Sequence, residues 1–304
     1  MSDGSAFPHA VIAGAPKCGT SSLYVWLADH PGTSASVHKE TYFLMDKDSV
    51  LFPQARFSYH EHGLGAYSRC FAEETQGQVL FEATPDYLYQ RTAPQVLGGM
   101  RPSPEIFFVL RRPSHRVLSA FRFYQGTLGA VDAALDFAAY VRLLLEPPED
   151  PAVIGHPLAA MALEHTRYAV HLRRWLEYVP ATKLHVLLFE QLRDAPGDFM
   201  RTMCRTMGLA PEFYDEYPFP VRNRSFGTRS SALVRIKNRI EPLLPSGGLR
   251  SVLRRCYRTV NIVDPQAVPQ PGVKRTLAEL DAYFAPDVAD LAALLNLDLS
   301  AWEA

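Results

Sequence analysis

The chain has 304 residues, 47% of them hydrophobic, which leaves room for one large domain or two small ones and supplies ample apolar residues for a core. Its 31 Lys and Arg stand against 32 Asp and Glu, a formal net charge of −1, so no global basic field for nucleic acid exists and any anion must be held by local positive charge. Four scattered cysteines, Cys18, Cys70, Cys204 and Cys256, form no C-x-x-C pair and support neither a zinc site nor a disulfide framework.

From the amino terminus, Met1–Pro8 is short and polar without an apolar signal core, and no run of 18 apolar residues follows, so a soluble, intracellular protein is expected. Apolar runs predict strands over 9–13, 78–82, 105–110 and 184–189. Helical patterns fall over 20–29, 64–73, 114–125, 133–145, 159–178 and 197–207. This alternation predicts an α/β fold, a parallel sheet with helices on both faces and a ligand beyond the carboxyl ends of the strands. Residues 146–157 form a proline-rich loop of the kind that often serves as a lid. Residues 233–258 are basic, with Arg235, Lys237, Arg239, Arg250, Arg254, Arg255 and Arg258 among Leu, Val and Ile, and read as amphipathic helices broken at Pro242 and Pro245–Gly248. Such a stretch can lie over a bound cofactor, meet an anionic acceptor, touch a membrane, or simply present a solvated face. No internal repeat or low-complexity tract occurs.

The segment Gly14-Ala15-Pro16-Lys17-Cys18-Gly19-Thr20-Ser21-Ser22 carries the most chemistry. It joins an apolar strand to a helix, the geometry that cradles a phosphate on backbone N–H groups. Thr20, Ser21 and Ser22 add hydroxyl donors. A Walker A loop places its lysine directly after the second glycine. Here Thr20 occupies that place and Lys17 sits two residues before Gly19, which weakens a kinase or NTPase reading. The plain alternative is a strand-to-helix turn with a surface lysine. Cys18 is either a reactive thiol or a small loop-filling residue.

A second segment follows the run Ile106–Leu110: Arg111-Arg112-Pro113-Ser114-His115-Arg116-Val117-Leu118-Ser119. Pro113 suits the first turn of a helix, where Arg116 and Ser119 share a face, and Arg111 at the strand end can reach the same point. Two guanidinium forks and a hydroxyl make a good phosphate site.

At these two segments the chain resembles the PAPS-dependent sulfotransferases. Their loop grips the 5′-phosphosulfate of 3′-phosphoadenosine 5′-phosphosulfate (PAPS), and their R-x-P-x-x-R-x-x-S segment, filled here by Arg111, Pro113, Arg116 and Ser119, holds its 3′-phosphate. Pro31 with His38-Lys39-Glu40-Thr41-Tyr42-Phe43 resembles the family's segment after the first helix. Glu82-Ala83-Thr84-Pro85-Asp86-Tyr87 and Tyr168 to Trp175 resemble the bacterial and Golgi heparan-type branch. Leu187–Leu192 and Tyr283–Trp302 match its late strand and closing helix, so the likeness covers nearly the whole chain and is weakest over about 127–165 and 232–272.

The resemblance implies a nucleotide-kinase-like, P-loop sulfotransferase fold over 1–304 as a single domain, with an acceptor-site lid at 127–165 and a basic helical insertion at 232–272. It implies PAPS as donor, PAP as product and no metal. Lys17 would stabilise the leaving phosphate, and Lys17, Cys18, Gly19, Thr20, Ser21, Ser22, Arg111, Ser119 and Arg229 would hold the cofactor, with Phe226 stacking on adenine. Glu82 falls on the heparan-type catalytic glutamate. His38 is the rival base, because the cytosolic aryl and steroid branch uses histidine. Lys39, Glu40 and Asp86 would contact the acceptor, a hydroxyl or amine of a small molecule such as a secondary metabolite, a glycan or a lipid. Ala83 stands where that branch often has lysine, which favours an acceptor smaller or more apolar than a polysaccharide. Golgi members carry a membrane anchor, so the expectation is a bacterial-type cytoplasmic enzyme with no nucleic-acid partner and at most a peripheral membrane contact through 233–258. The alternatives are a P-loop kinase or NTPase and a non-catalytic PAPS-binding protein.

Overall fold

Ala10-Val11-Ile12-Ala13-Gly14 is buried at every position, the pattern of a strand covered on both faces. In the computed structural model, which describes residues 7–72, 77–220, 227–228, 230–240, 257, 262–263 and 272–302, this segment is β1. It is followed in chain order by α1 (Thr20–Ala28), β2 (Thr33–Ala35), β3 (Val79–Ala83), α2 (Thr92–Gly99), β4 (Glu105–Leu110), α3 (Pro113–Phe123), α4 (Phe137–Leu145), α5 (Tyr168–Leu176) and β5 (Leu184–Leu188). Then come α6 (Phe189–Asp194), α7 (Pro196–Met207), β6 (Gly227–Thr228), α8 (Ser231–Ile240), β7 (Ile262–Val263) and α9 (Val273–Leu295). The chain separates into two compact units, Met1–Arg111 with Tyr168–Asn223 and Asp290–Ala304, and Arg112–Arg167 with Arg224–Ala289.

The first unit holds the sheet, in the order β2-β3-β1-β4-β5, with every neighbouring pair parallel. In register, Val11 lies beside Glu82 on one side of β1 and Gly14 beside Phe108 on the other. Strand placement reverses at β1, and open α/β sheets bind ligands at the carboxyl ends beside such a reversal. The core around these ends is aromatic: Phe81, Phe107 and Phe108 are at most 1% exposed, and Trp175 packs edge-on against Phe108 at 5.0 Å between centroids. Gly14 is needed for that packing, because a Cβ there would lie 2.7 Å from Phe108 Cδ1.

The second unit has its own apolar core, built from Val117 and Phe121 of α3, Phe137 and Tyr140 of α4, and Leu280 and Phe284 of α9. Residues 127–165 supply much of it, including Val131, Ile154 and Ala159 as well as α4. The proline-rich stretch is therefore pinned by Ile154, 3% exposed, within a short 3₁₀ turn, Pro151–Ile154. β6 and β7 pair antiparallel.

The expected parallel sheet flanked by helices is present, with four local differences. β2 was not foreseen, because Thr33-Ser34-Ala35 is three residues with no apolar run. The expected helix over 159–178 is broken into a single turn at Pro157–Ala160, a 3₁₀ turn at Glu164–Thr166 and then α5. The helix expected over 133–145 begins only at Phe137, where the Asp136 side chain caps it by accepting from Ala139 N at 2.7 Å. Within the helix expected over 64–73, Leu64–Cys70 form a 3₁₀ segment instead. Among the described residues no helix is long and apolar enough to cross a membrane. Of the basic stretch, residues 241–256 lie outside the described residues, and α8 accounts for its start.

Candidate active site

The carboxyl ends of β3, β1 and β4 lie side by side in the first unit, each about 4.8 Å from the next. β1 leads into the glycine-rich loop. Gly19 takes the left-handed conformation, φ 81°, and starts α1 with no side-chain cap and no acidic residue in the first turn. The first turn of a helix offers N–H groups without intrahelical partners and a positive dipole end, so this terminus suits an anion. Lys17 also takes a left-handed φ of 72°, uncommon for a residue with a Cβ and typical of segments held for function. Cys18 is fully buried, its Sγ directed at the Pro16 carbonyl oxygen at 3.7 Å, and Thr20 and Ser22 are buried while Ser21 is partly exposed. Cys18 is thus packed inside the loop.

Gly19 is hemmed in as well as twisted. An added Cβ would meet Leu192 Cδ2 at 2.6 Å and the Phe189 ring at 3.1 Å. Gly19→Ala is expected to destabilise the protein by about 1–3 kcal/mol, read as a lower denaturation midpoint. An unchanged midpoint would show that the loop adopts another conformation in solution.

β4 ends at Arg111. Its guanidinium lies 4.6 Å from the centroid of the Phe189 ring, a cation–π contact, and its carbonyl accepts from Tyr168 Oη at 2.9 Å. Burial pulls its pKa down, while Cys18, Glu190 and Tyr168 oppose that shift, so the side chain remains a cation close to the loop. Glu190 accepts in turn from Trp302 Nε1 at 3.0 Å. Phe189 thus touches both the Gly19 turn and Arg111. Sequence reasoning saw Phe189 only as part of a late strand and turn, and an aromatic at a strand end gives no further signal.

The other members of the second segment belong to the second unit. Arg116 is 2% exposed and donates through Nη1 to Thr166 Oγ1 at 2.7 Å and to the Ala162 carbonyl at 3.4 Å. Ser119 is buried on the same helix. Arg229 and Phe226 lie outside the described residues.

β3 carries Glu82, which is fully buried and ringed by hydroxyls. Tyr67 Oη donates to Oε1, and Thr84 Oγ1 and Thr41 Oγ1 donate to Oε2 at 2.7 and 2.9 Å. Burial raises the Glu82 pKa, and the hydroxyls of Tyr67, Thr84, Thr41 and Tyr87 hold it back. The result is a carboxyl group shielded from solvent with hydroxyl donors on both oxygens. Thr84 belongs to the quoted Glu82–Tyr87 segment and Thr41 to the His38–Phe43 segment, but their role was not legible there, and Tyr67 had no signal at all.

The rim beside it is formed by residues 38–43. His38 is exposed. Lys39 is ion-paired with Glu40 Oε1, whose other oxygen accepts from Tyr42 Oη at 2.9 Å. Burial, then the charges of Glu40 and Asp86, raise the Tyr42 phenol, which places Asp86 in the same neighbourhood. The described structure therefore brings Lys39, Glu40 and Asp86 to one rim in the first unit, with Glu82 beneath. Among the described residues no cluster of His, Cys, Asp and Glu could hold a metal ion.

Comparison with known proteins gives a consistent result. A family model described as the sulfotransferase domain matches residues 7–226. The chain is 27% identical over 263 residues to heparan sulfate glucosamine 3-O-sulfotransferase 6 of Homo sapiens, covering 84% of this chain and 70% of that protein. It is 29% identical over 209 residues to bifunctional heparan sulfate N-deacetylase/N-sulfotransferase 3 of Homo sapiens, covering 68% of this chain and only 23% of that longer protein. The crystal structure of a sulfotransferase from Alicyclobacillus acidocaldarius shares the fold, with a TM-score of 0.67 at 22% identity over 98% of this chain and 100% of that one.

Proposed function

The chain belongs to the sulfotransferase family, and we propose that it moves the sulfuryl group of PAPS onto a hydroxyl or amine of a small-molecule, glycan or lipid acceptor. The observation that carries this reading is the row of adjacent strand ends in one sheet: a glycine loop with Lys17 at β1, Arg111 at β4 and a dry glutamate at β3.

The residues present suit the donor. The uncapped α1 terminus and the closely packed Gly19 turn form a cradle for the 5′-phosphate, with Lys17 in the loop. Arg111, already desolvated against Phe189, is a ready fork for the 3′-phosphate. PAPS, when bound, supplies the sulfuryl group and a phosphate leaving group. Lys17 provides positive charge where that phosphate gains negative charge, and Glu82 accepts the proton the acceptor gives up. Ala83 is fully buried, so this position places no cation at the rim for a polyanionic chain.

The direct test is transfer of labelled sulfuryl from PAPS across an acceptor panel of alcohols, amines, sugars and glycolipids. Product on any of them supports the proposal. No product on the whole panel, together with no PAP binding, sinks it. Arg111→Ala is expected to weaken PAP binding on the order of ten- to a hundredfold, the usual loss for a charge-assisted hydrogen bond. Unchanged PAP affinity would remove Arg111 from the 3′-phosphate site.

A further inference from the structure

Helix α8 of the second unit has two apolar sides, and only one of them is covered. Val234 turns inward and is 0% exposed, whereas Leu233, Ile236 and Ile240 are 40, 53 and 42% exposed. At 3.6 residues per turn these three fall within about 60° of one another, an i, i+3, i+7 stripe that faces water. Single exposed apolar side chains are ordinary, but a stripe along one helix side is not. Cations border the stripe on both edges. Arg235 and Arg239, both exposed, lie beyond Ile236, and the half-buried Lys237 lies beyond Leu233 with its Nζ 5.1 Å from the centroid of the Tyr257 ring. Ser231–Ile240 contains no Asp or Glu. The helix packs against the helical turn Tyr124–Leu128, which adds another exposed leucine, Leu128.

We propose that α8 is a docking surface for an anionic phospholipid bilayer and lies in the plane of its interface. Ten residues of helix are about 15 Å long, half the thickness of a hydrocarbon core of about 30 Å, so the helix rests along the membrane and does not cross it. Leu233, Ile236 and Ile240 enter the boundary between headgroups and acyl chains, and the long stems of Arg235, Lys237 and Arg239 carry their charges up to the lipid phosphates. Charge complementarity selects anionic lipid. Over residues 217–263 ten Lys and Arg stand against one acidic residue, Glu241, in a chain whose net charge is −1. Such clustering attracts an anionic membrane surface.

Two other occupants fit less well. A polyanionic glycan would meet the cations and leave the leucine and isoleucine side chains in water. A second copy docking through the same face would set Arg235, Lys237 and Arg239 against their own counterparts, like charge against like. A bilayer of anionic lipid satisfies both parts of the surface. The inference does not depend on the sulfotransferase chemistry, since membrane binding needs neither nucleotide nor turnover.

The test is cosedimentation of the full-length, nucleotide-free protein with vesicles of phosphatidylcholine alone and of phosphatidylcholine mixed with phosphatidylglycerol. The protein should bind the mixed vesicles on the order of a hundredfold more tightly, about fivefold for each of three cations, and added salt should weaken that binding. Replacing two of the stripe residues together, Ile236→Gln with Ile240→Gln, should cost on the order of ten- to a hundredfold in binding. Both positions are exposed, so the denaturation midpoint should not move. Arg235→Gln with Arg239→Gln should lose about fivefold per charge and flatten the salt dependence. In Ile236→Trp the added fluorescence should shift to shorter wavelength on the mixed vesicles, over a constant background from the buried Trp26, Trp175 and Trp302. No binding, or equal binding to both vesicles, would overturn the proposal. Full binding by the isoleucine pair variant, with competition by heparin, would give the surface to a polyanionic glycan and overturn it too. So would a wild-type dimer in light scattering that the isoleucine pair variant dissociates. A protein that moves sulfuryl but ignores vesicles refutes this inference alone, and one that binds vesicles but moves no sulfuryl refutes only the proposed function.

Discussion

Lys17→Ala should cut turnover steeply, with a loss in kcat on the order of a hundred- to a thousandfold, the scale for removing one charge-stabilising donor from a transition state. Breaking the bond from sulfur to the phosphate oxygen leaves negative charge on the 5′-phosphate, and that phosphate would sit in the loop holding Lys17. Two features fix the backbone of the loop that carries the lysine. It takes a left-handed φ of 72°, and the Gly19 turn that follows is packed against Leu192 and Phe189. PAP affinity should fall less than kcat, because the α1 terminus and Arg111 remain. The check is a pair of measurements on purified Lys17→Ala: single-turnover rate with PAPS and calorimetric affinity for PAP. Equal losses in rate and affinity would make Lys17 a binding residue only. A near-normal rate would remove it from the mechanism.

Glu82→Gln should cut turnover by about a hundred- to ten-thousandfold while leaving PAP affinity near wild type. The amide keeps the size of the carboxyl group and cannot accept the acceptor's proton. The pH profile gives the second half of this prediction. Burial raises the Glu82 pKa above the usual carboxylate range, against the hydroxyl bonds that lower it. A base must be deprotonated to act, so activity is present above that pKa and lost as pH falls through it. The acid limb of the wild-type profile should therefore lie above the position of an ordinary glutamate, and it should disappear in Glu82→Gln. His38, exposed on the rim, gives the contrary outcome. If Glu82→Gln stayed near wild type while His38→Ala lost activity, the base would be His38.

The sheet was legible because its central strands are unbroken apolar runs. Ala10–Gly14 and Ile106–Leu110 are buried on both faces, and such segments declare themselves without help from distant residues. β2 was hidden because Thr33–Ala35 earns its place only by pairing with β3. The shape of the loop was legible for a related reason. Gly14, Lys17 and Gly19 act through local backbone geometry, which spacing encodes. The surroundings of Glu82 were not legible, because Tyr67 and Thr41 come to it from 15 and 41 positions away in sequence. The setting of Arg116 was hidden for the same reason: its guanidinium donates to Thr166 and Ala162, long-range contacts no local pattern reveals.

The central claim is that the loop and Arg111 form a site for PAPS rather than for a nucleoside triphosphate. Calorimetric titration of the metal-free protein with PAP and, separately, with ADP tests it most directly, since the two nucleotides differ in where the second phosphate sits. Clear preference for PAP, weakened by Arg111→Ala, is the predicted result. Equal or tighter binding of ADP, strengthened by Mg²⁺, would contradict it and assign the loop to phosphoryl rather than sulfuryl transfer.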